Sequence, residues 1–117
     1  MNPNELMQAA LRGDDLSARQ WVKDAVRAGV DFSAVEEPVG LDADGQAVAA
    51  ALFELLAQRQ GKPAPVWASP SRRAAQPVYL CRRAATSAAV RRWCEADAPA
   101  PLRSRNVFAL PDYLAVV

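Results

Sequence analysis

The chain has 117 residues, 51% of them hydrophobic, and a formal net charge of +1. That is enough apolar mass for one domain that hides roughly two-thirds of the surface its unfolded chain would expose. It has no histidine and two cysteines, and no apolar run approaches the ~18 residues of a spanning helix, which counts against a histidine-based active site, a disulfide framework and a membrane anchor.

Alanine supplies 25 residues and isoleucine none, while arginine outnumbers lysine 12 to 2. This is the bias of a GC-rich bacterial or phage genome. With so much small apolar content, the average leans toward helix and the core rests on leucine, valine and the few aromatics. Residues 1–60 carry five basic against ten acidic side chains, and residues 61–117 nine against three. A chain polarised in this way either folds its halves against each other or shows one acidic and one basic surface.

Asn2, Pro3 and Glu5 have the spacing of an N-cap, a first-turn proline and a capping-box acid, followed by Leu6, Met7, Ala10 and Leu11 up to Gly13. Asp14 and Asp15 open a second helix with Ala18, Trp21, Val22, Ala25 and Val26 on one stripe and Gly29 at its end. Its outer face places Arg19, Lys23 and Arg27 where Asp15 and Asp24 can pair with them. Residues 30–44 read as an irregular connection in which Asp31 and Ser33 satisfy backbone donors and Phe32 plugs the helical pair. Asp42 or Asp44 then caps a third helix with the widest apolar stripe, Val48, Ala49, Leu52, Phe53, Leu55 and Leu56, stopped by Gly61 and Pro63. It is expected to be the central helix.

Pro63, Pro65, Pro70 and Pro77 make residues 62–77 an extended crossing, strapped down by Trp67. Val78–Cys81 and Asn106–Leu110 read as β-prone runs, and between them Thr86 or Ser87 caps a helix with Ala89, Val90, Trp93 and Cys94, closed by Pro99 and Pro101. The two strands are expected to be parallel neighbours. Pro111–Leu114 forms a single turn, and the apolar end Val116-Val117 docks. The fold class is therefore α+β and mainly helical. One domain over residues 1–117 packs an acidic three-helix half (1–61) against a proline- and arginine-rich strand-helix-strand half (62–117).

The amino terminus has no positive n-region followed by an apolar core, which argues against an export signal and for a cytoplasmic protein. Cys81 and Cys94, thirteen apart, read as buried reduced thiols. No metal site is expected: Asp42-x-Asp44-Gly45 is too short for a calcium loop, and borderline metals lack their usual ligands. No phosphate-cradling glycine motif is present, and Glu36-Glu37 lacks the geometry of a catalytic dyad, so neither a cofactor nor a catalytic residue is assigned.

The arginines exceed expectation. Arg72-Arg73, Arg82-Arg83, Arg91-Arg92 and the pair Arg103 and Arg105 recur about every ten residues. Guanidinium groups at matching ends of successive elements would form one basic face for carboxylates or phosphates. Trp67, Tyr113 and the loop from Pro99 to Arg105 are candidate interface anchors. Packing is the expected role of Trp67, Tyr79, Trp93 and Phe108, which disfavours single-strand nucleic acid. The sequence thus points to a small non-enzymatic bacterial or phage accessory protein, antitoxin-like or inhibitor-like, that binds a partner protein. Nucleic-acid binding through the carboxy-terminal arginines is the alternative, and homo-oligomers are an open arrangement.

Overall fold

Four helices begin where a short polar side chain can take a backbone N–H that the first turn leaves free. The computed structural model describes residues 1–116. In it Asn2 Oδ1 accepts from the Asn4 amide at 2.9 Å to open α1 (Pro3–Leu11). Asp14 accepts from Ser17 at 3.1 Å for α2 (Asp15–Arg27). Asp42 accepts from Gly45 at 2.7 Å for α3 (Ala43–Arg59), and Ser87 from Val90 at 3.2 Å for α4 (Ala88–Asp97). At α1 the expected capping box gives way to the shorter Asn2–Asn4 link, and Glu5 contributes only its own amide to Asn2 O at 3.1 Å. Asp44, the other candidate cap of α3, instead accepts from the Ala75 amide at 3.2 Å and ties down the proline-rich crossing.

Helix α3 is the centre of the molecule, with eleven of its seventeen residues buried. Its alanines let neighbours approach closely, and Phe53 fills the middle at 0% exposure. Phe53 meets Trp21 edge-on at 6.1 Å and Trp67 at 5.8 Å, with Phe32 tilted beside it at 6.5 Å. Both indoles find a carbonyl, Trp21 at Asn2 O (3.1 Å) and Trp67 at Val35 O (2.8 Å), so neither donor is left unmade. Phe32 is buried as expected, within a 3-10 turn (Phe32–Ala34) that the sequence reads only as irregular, and Asp31 accepts from the Ser33 amide to cap it. Gln60 fastens this segment to the end of α3, donating to Val30 O at 2.8 Å and accepting from the Phe32 amide at 3.0 Å.

The second half is a strand-helix-strand unit with additions. Strands β1 (Val78–Tyr79) and β2 (Val107–Phe108) are parallel, with Val78 opposite Val107 and Tyr79 opposite Phe108. Both are shorter than the β-prone runs. After Leu80 the chain tightens into a 3-10 turn (Arg82–Ala85), and Asn106 enters β2 from a positive φ of 64°. Pro99 and Pro101 do more than stop α4: they open α5 (Ala100–Arg103), because proline's missing N–H is no loss in a first turn.

Three further expectations change. Gln20 takes Asp24 at 2.9 Å, and among the described residues Arg19, Lys23 and Arg27 form no ion pair. Trp93 is 50% exposed, since α4 docks on the Arg82–Ala85 turn through Cys94 and leaves the adjacent row outward. Val117 lies outside the described residues, and Val116 is exposed. No helix among the described residues is long and apolar enough to cross a membrane.

Candidate functional site

The arginines do not share one face. Arg105 is buried at 2% exposure and acts as an internal clamp. It donates to Ser69 O (2.5 Å), Arg72 O (3.0 Å) and Ala68 O (3.1 Å), and its Nη2 and Nε reach Glu54 Oε1 at 3.1 and 3.3 Å. This guanidinium gathers three carbonyls of the crossing segment, of which Ser69 O also accepts the Arg72 amide at 3.0 Å. Arg72 is half-buried and pairs with Glu37, and Lys62 pairs with Asp31 at 3.2 Å. Three of the four ion pairs among the described residues therefore join the acidic half to the basic half. Part of the charge polarity is neutralised inside the fold.

Arg103 donates to Ala96 O at 2.9 Å and closes the carboxyl end of α4. Arg73 is exposed on the crossing segment. Trp67 is partly buried against the core, and Tyr113 is buried at 6%. The Tyr113 hydroxyl has no hydrogen-bond partner, and burial pushes its pKa far above the usual phenol range.

What remains outward is the Arg82–Ala85 turn with α4. Arg82, Arg83, Arg91 and Arg92 are exposed on these two packed elements and free of ion pairs among the described residues. Arg82 lays its stem across Gly13 at the α1–α2 turn, and a Cβ there would run into Arg82 Cγ. Gly13 also has a φ of +75°, so both its conformation and this close approach call for glycine. Arg91 is fixed differently: its Nε and Nη2 both donate to Ala84 O, at 3.2 and 3.0 Å. Arg82 and Arg91 border one cleft of about 480 Å³ together with Tyr79 and Cys81. On the other side of Arg82 and Tyr79 lies a smaller cleft of about 160 Å³ that reaches Arg12.

Tyr79 stacks on Phe108 at 5.4 Å and donates its hydroxyl to Glu95 Oε1 at 2.6 Å. That bond favours the protonated phenol and is the main reason its pKa is raised. Burial raises the Cys94 thiol, and Cys81 nearby raises it further. Both cysteines are buried free thiols.

No protein-family model, curated protein or solved structure matches the chain. Its own geometry must supply the functional reading. Arg105 and Tyr113, expected at an interface, are buried, and Trp93, expected to pack, is exposed. Two apolar rows run along α4, Val90-Cys94 and Ala89-Trp93-Ala96, and each has helical spacing. A charged residue flanks each row, Arg91 the first and Arg92 the second, so the sequence does not tell them apart.

Proposed function

We propose that this protein is non-enzymatic and works by binding an acidic partner protein through the outer face of α4 and the Arg82–Ala85 turn. The observation that carries this reading is Trp93, 50% exposed and set among Ala89, Arg92 and Ala96, which are exposed as well. Covering the open half of an indole, on the order of 100 Å², is worth about 2–3 kcal/mol. That is the scale of an interface hot spot, and small neighbours leave room for a partner surface to close around it. Arg92 adjoins it on α4, and Arg82, Arg83 and Arg91 add positive charge to the same helix and its docking turn, which selects acidic surfaces and accelerates encounter. The action is steric, in the manner of a bacterial or phage antitoxin or inhibitor: the occupied partner loses its working surface. A cytoplasmic setting suits two reduced, buried thiols.

The same exposed indole favours one second reading, since a single-stranded nucleic acid also uses an aromatic platform beside arginines. The two separate in one experiment. The tagged protein, immobilised and challenged with nuclease-treated lysate of its source organism, is expected to retain one protein that co-elutes as a defined complex in size-exclusion chromatography. Trp93→Ala is expected to lose it. Retention indifferent to Trp93→Ala defeats the proposal. Salt-sensitive binding of a labelled single-stranded oligonucleotide that quenches Trp93 replaces it with the nucleic-acid reading.

A further inference from the structure

The cleft beside α4 offers more than diffuse charge. A guanidinium has two edges that present paired N–H groups, one formed by Nε and Nη2 and the other by Nη1 and Nη2. In Arg91 the first edge closes on Ala84 O, with both nitrogens bonded to the one carbonyl. The second edge keeps its two parallel donors in the plane that the Ala84 contact fixes, and Arg91 lines the cleft. Ala84 is buried and belongs to the turn on which α4 docks, so the carbonyl that holds the fork is itself rigidly placed.

The charge of this fork is not cancelled locally. Glu95 lies one helical turn beyond Arg91, where an ion pair is the usual outcome. Its carboxylate instead accepts the Tyr79 hydroxyl at 2.6 Å and makes no ion pair with Arg91. Across the cleft Arg82 is anchored by its stem over Gly13, and its head has no hydrogen-bond or ion-pair partner among the described residues. Asp15 feels the charge of Arg82 without pairing with it. Two guanidiniums thus border about 480 Å³ of open space, one pre-set and one free to close.

We propose that this cleft is a carboxylate socket: Arg91 receives an aspartate or glutamate side chain of the partner end-on through its free pair of N–H groups, and Arg82 closes over it. This rests on the reading that the partner is an acidic protein, and it names the chemistry of the anchor that accompanies Trp93. A planar fork fixed before binding loses little freedom on contact, which is why arginine and not lysine fills this role.

The probe is glutarate, a dicarboxylate with no protein attached, titrated into arginine-labelled full-length protein at constant ionic strength while the arginine side-chain N–H resonances are followed. Saturable shifts at Arg91 and Arg82, with Arg73 and Arg103 unmoved, are the expected result. Arg91→Lys keeps the charge and loses the fork, and should weaken glutarate by at least about tenfold. Shifts shared evenly by all exposed arginines, or an Arg91→Lys variant that binds as tightly as the parent, would mean charge screening alone and end the proposal. Saturation by inorganic phosphate without saturation by glutarate would assign the cleft to a phosphate ligand and also end it. Trp93→Ala should leave glutarate binding intact, so a failed socket and a failed partner surface are read separately. Dispersed backbone amide resonances in each variant establish that the fold is retained.

Discussion

Helices α3 and α4 are both rich in alanine and both open on a short polar cap, yet they end in opposite surroundings. In α3 the small residues disappear into the core, with Ala47, Ala49, Ala50, Ala51 and Ala57 all at 1% exposure or less. In α4 only Cys94 is buried, and Ala88, Ala89 and Ala96 face outward beside Trp93. Composition does not distinguish these roles. The neighbours do: α3 packs against α1, α5, β2 and the Phe32–Ala34 turn, whereas α4 rests chiefly on the Arg82–Ala85 turn. The surface of α3 is consumed by folding, and that of α4 is left largely exposed.

This contrast breaks hardest at Phe53. Phe53→Ala removes the ring on which Trp21, Phe32 and Trp67 converge and is expected to cost about 3–5 kcal/mol, read as a lowered urea midpoint. Arg105→Ala follows at about 3 kcal/mol, the lower end for a broken buried pair, because Glu54 is 33% exposed and can be rehydrated. Arg105→Lys should recover little of this loss, since one ammonium with three donors cannot span Ala68, Ser69 and Arg72 carbonyls together with Glu54. A lysine variant as stable as the parent would show that charge alone holds the crossing segment.

The helical half is largely legible in the sequence because its signals are local. Asp14 and Asp42 act on backbone within three residues of themselves, and the stripes of α2 and α3 have one reading each. The second half hides its decisive contacts at long range. Arg105 and Glu54 are 51 positions apart, and nothing in the run from Arg103 to Arg105 separates the one that caps α4 from the one that enters the core. Trp93 is ambiguous for the reason given by its two competing rows, and docking settles the choice. The fork on Arg91 depends on a 3-10 turn whose Arg-Arg-Ala-Ala sequence carries no distinctive turn residue.

Tyr113 sharpens the comparison from inside the core. Its hydroxyl is buried without a partner, so Tyr113→Phe removes an unmade hydrogen bond and should stabilise the protein by about 1 kcal/mol. The pH dependence carries the same sign. Above the ordinary phenol value of 10.0, the unfolded chain loses the Tyr113 proton while burial makes the folded chain keep it. Stability therefore falls as pH rises past that value, by up to about 1.4 kcal/mol per pH unit for this group. The advantage of Tyr113→Phe should widen between neutral and strongly alkaline denaturation curves, and a constant offset would place the hydroxyl in contact with water.

The smallest effect on stability belongs to the residue with the largest expected effect on binding. Trp93→Ala gives up contacts along the inner edge of the indole but puts a better helix former into α4, and the two changes nearly offset, leaving about 0.5 kcal/mol or less. A loss of several kcal/mol would mean that Trp93 serves the fold as Phe53 does, and the distinction between the two helices would vanish. A near-silent melting curve combined with a lost complex separates them fully. Arg92→Glu provides the electrostatic counterpart: it too sits on the exposed side of α4 and should be silent in melting. Against an acidic partner it reverses the local attraction, so its effect should appear mainly in the association rate and should shrink as salt is added.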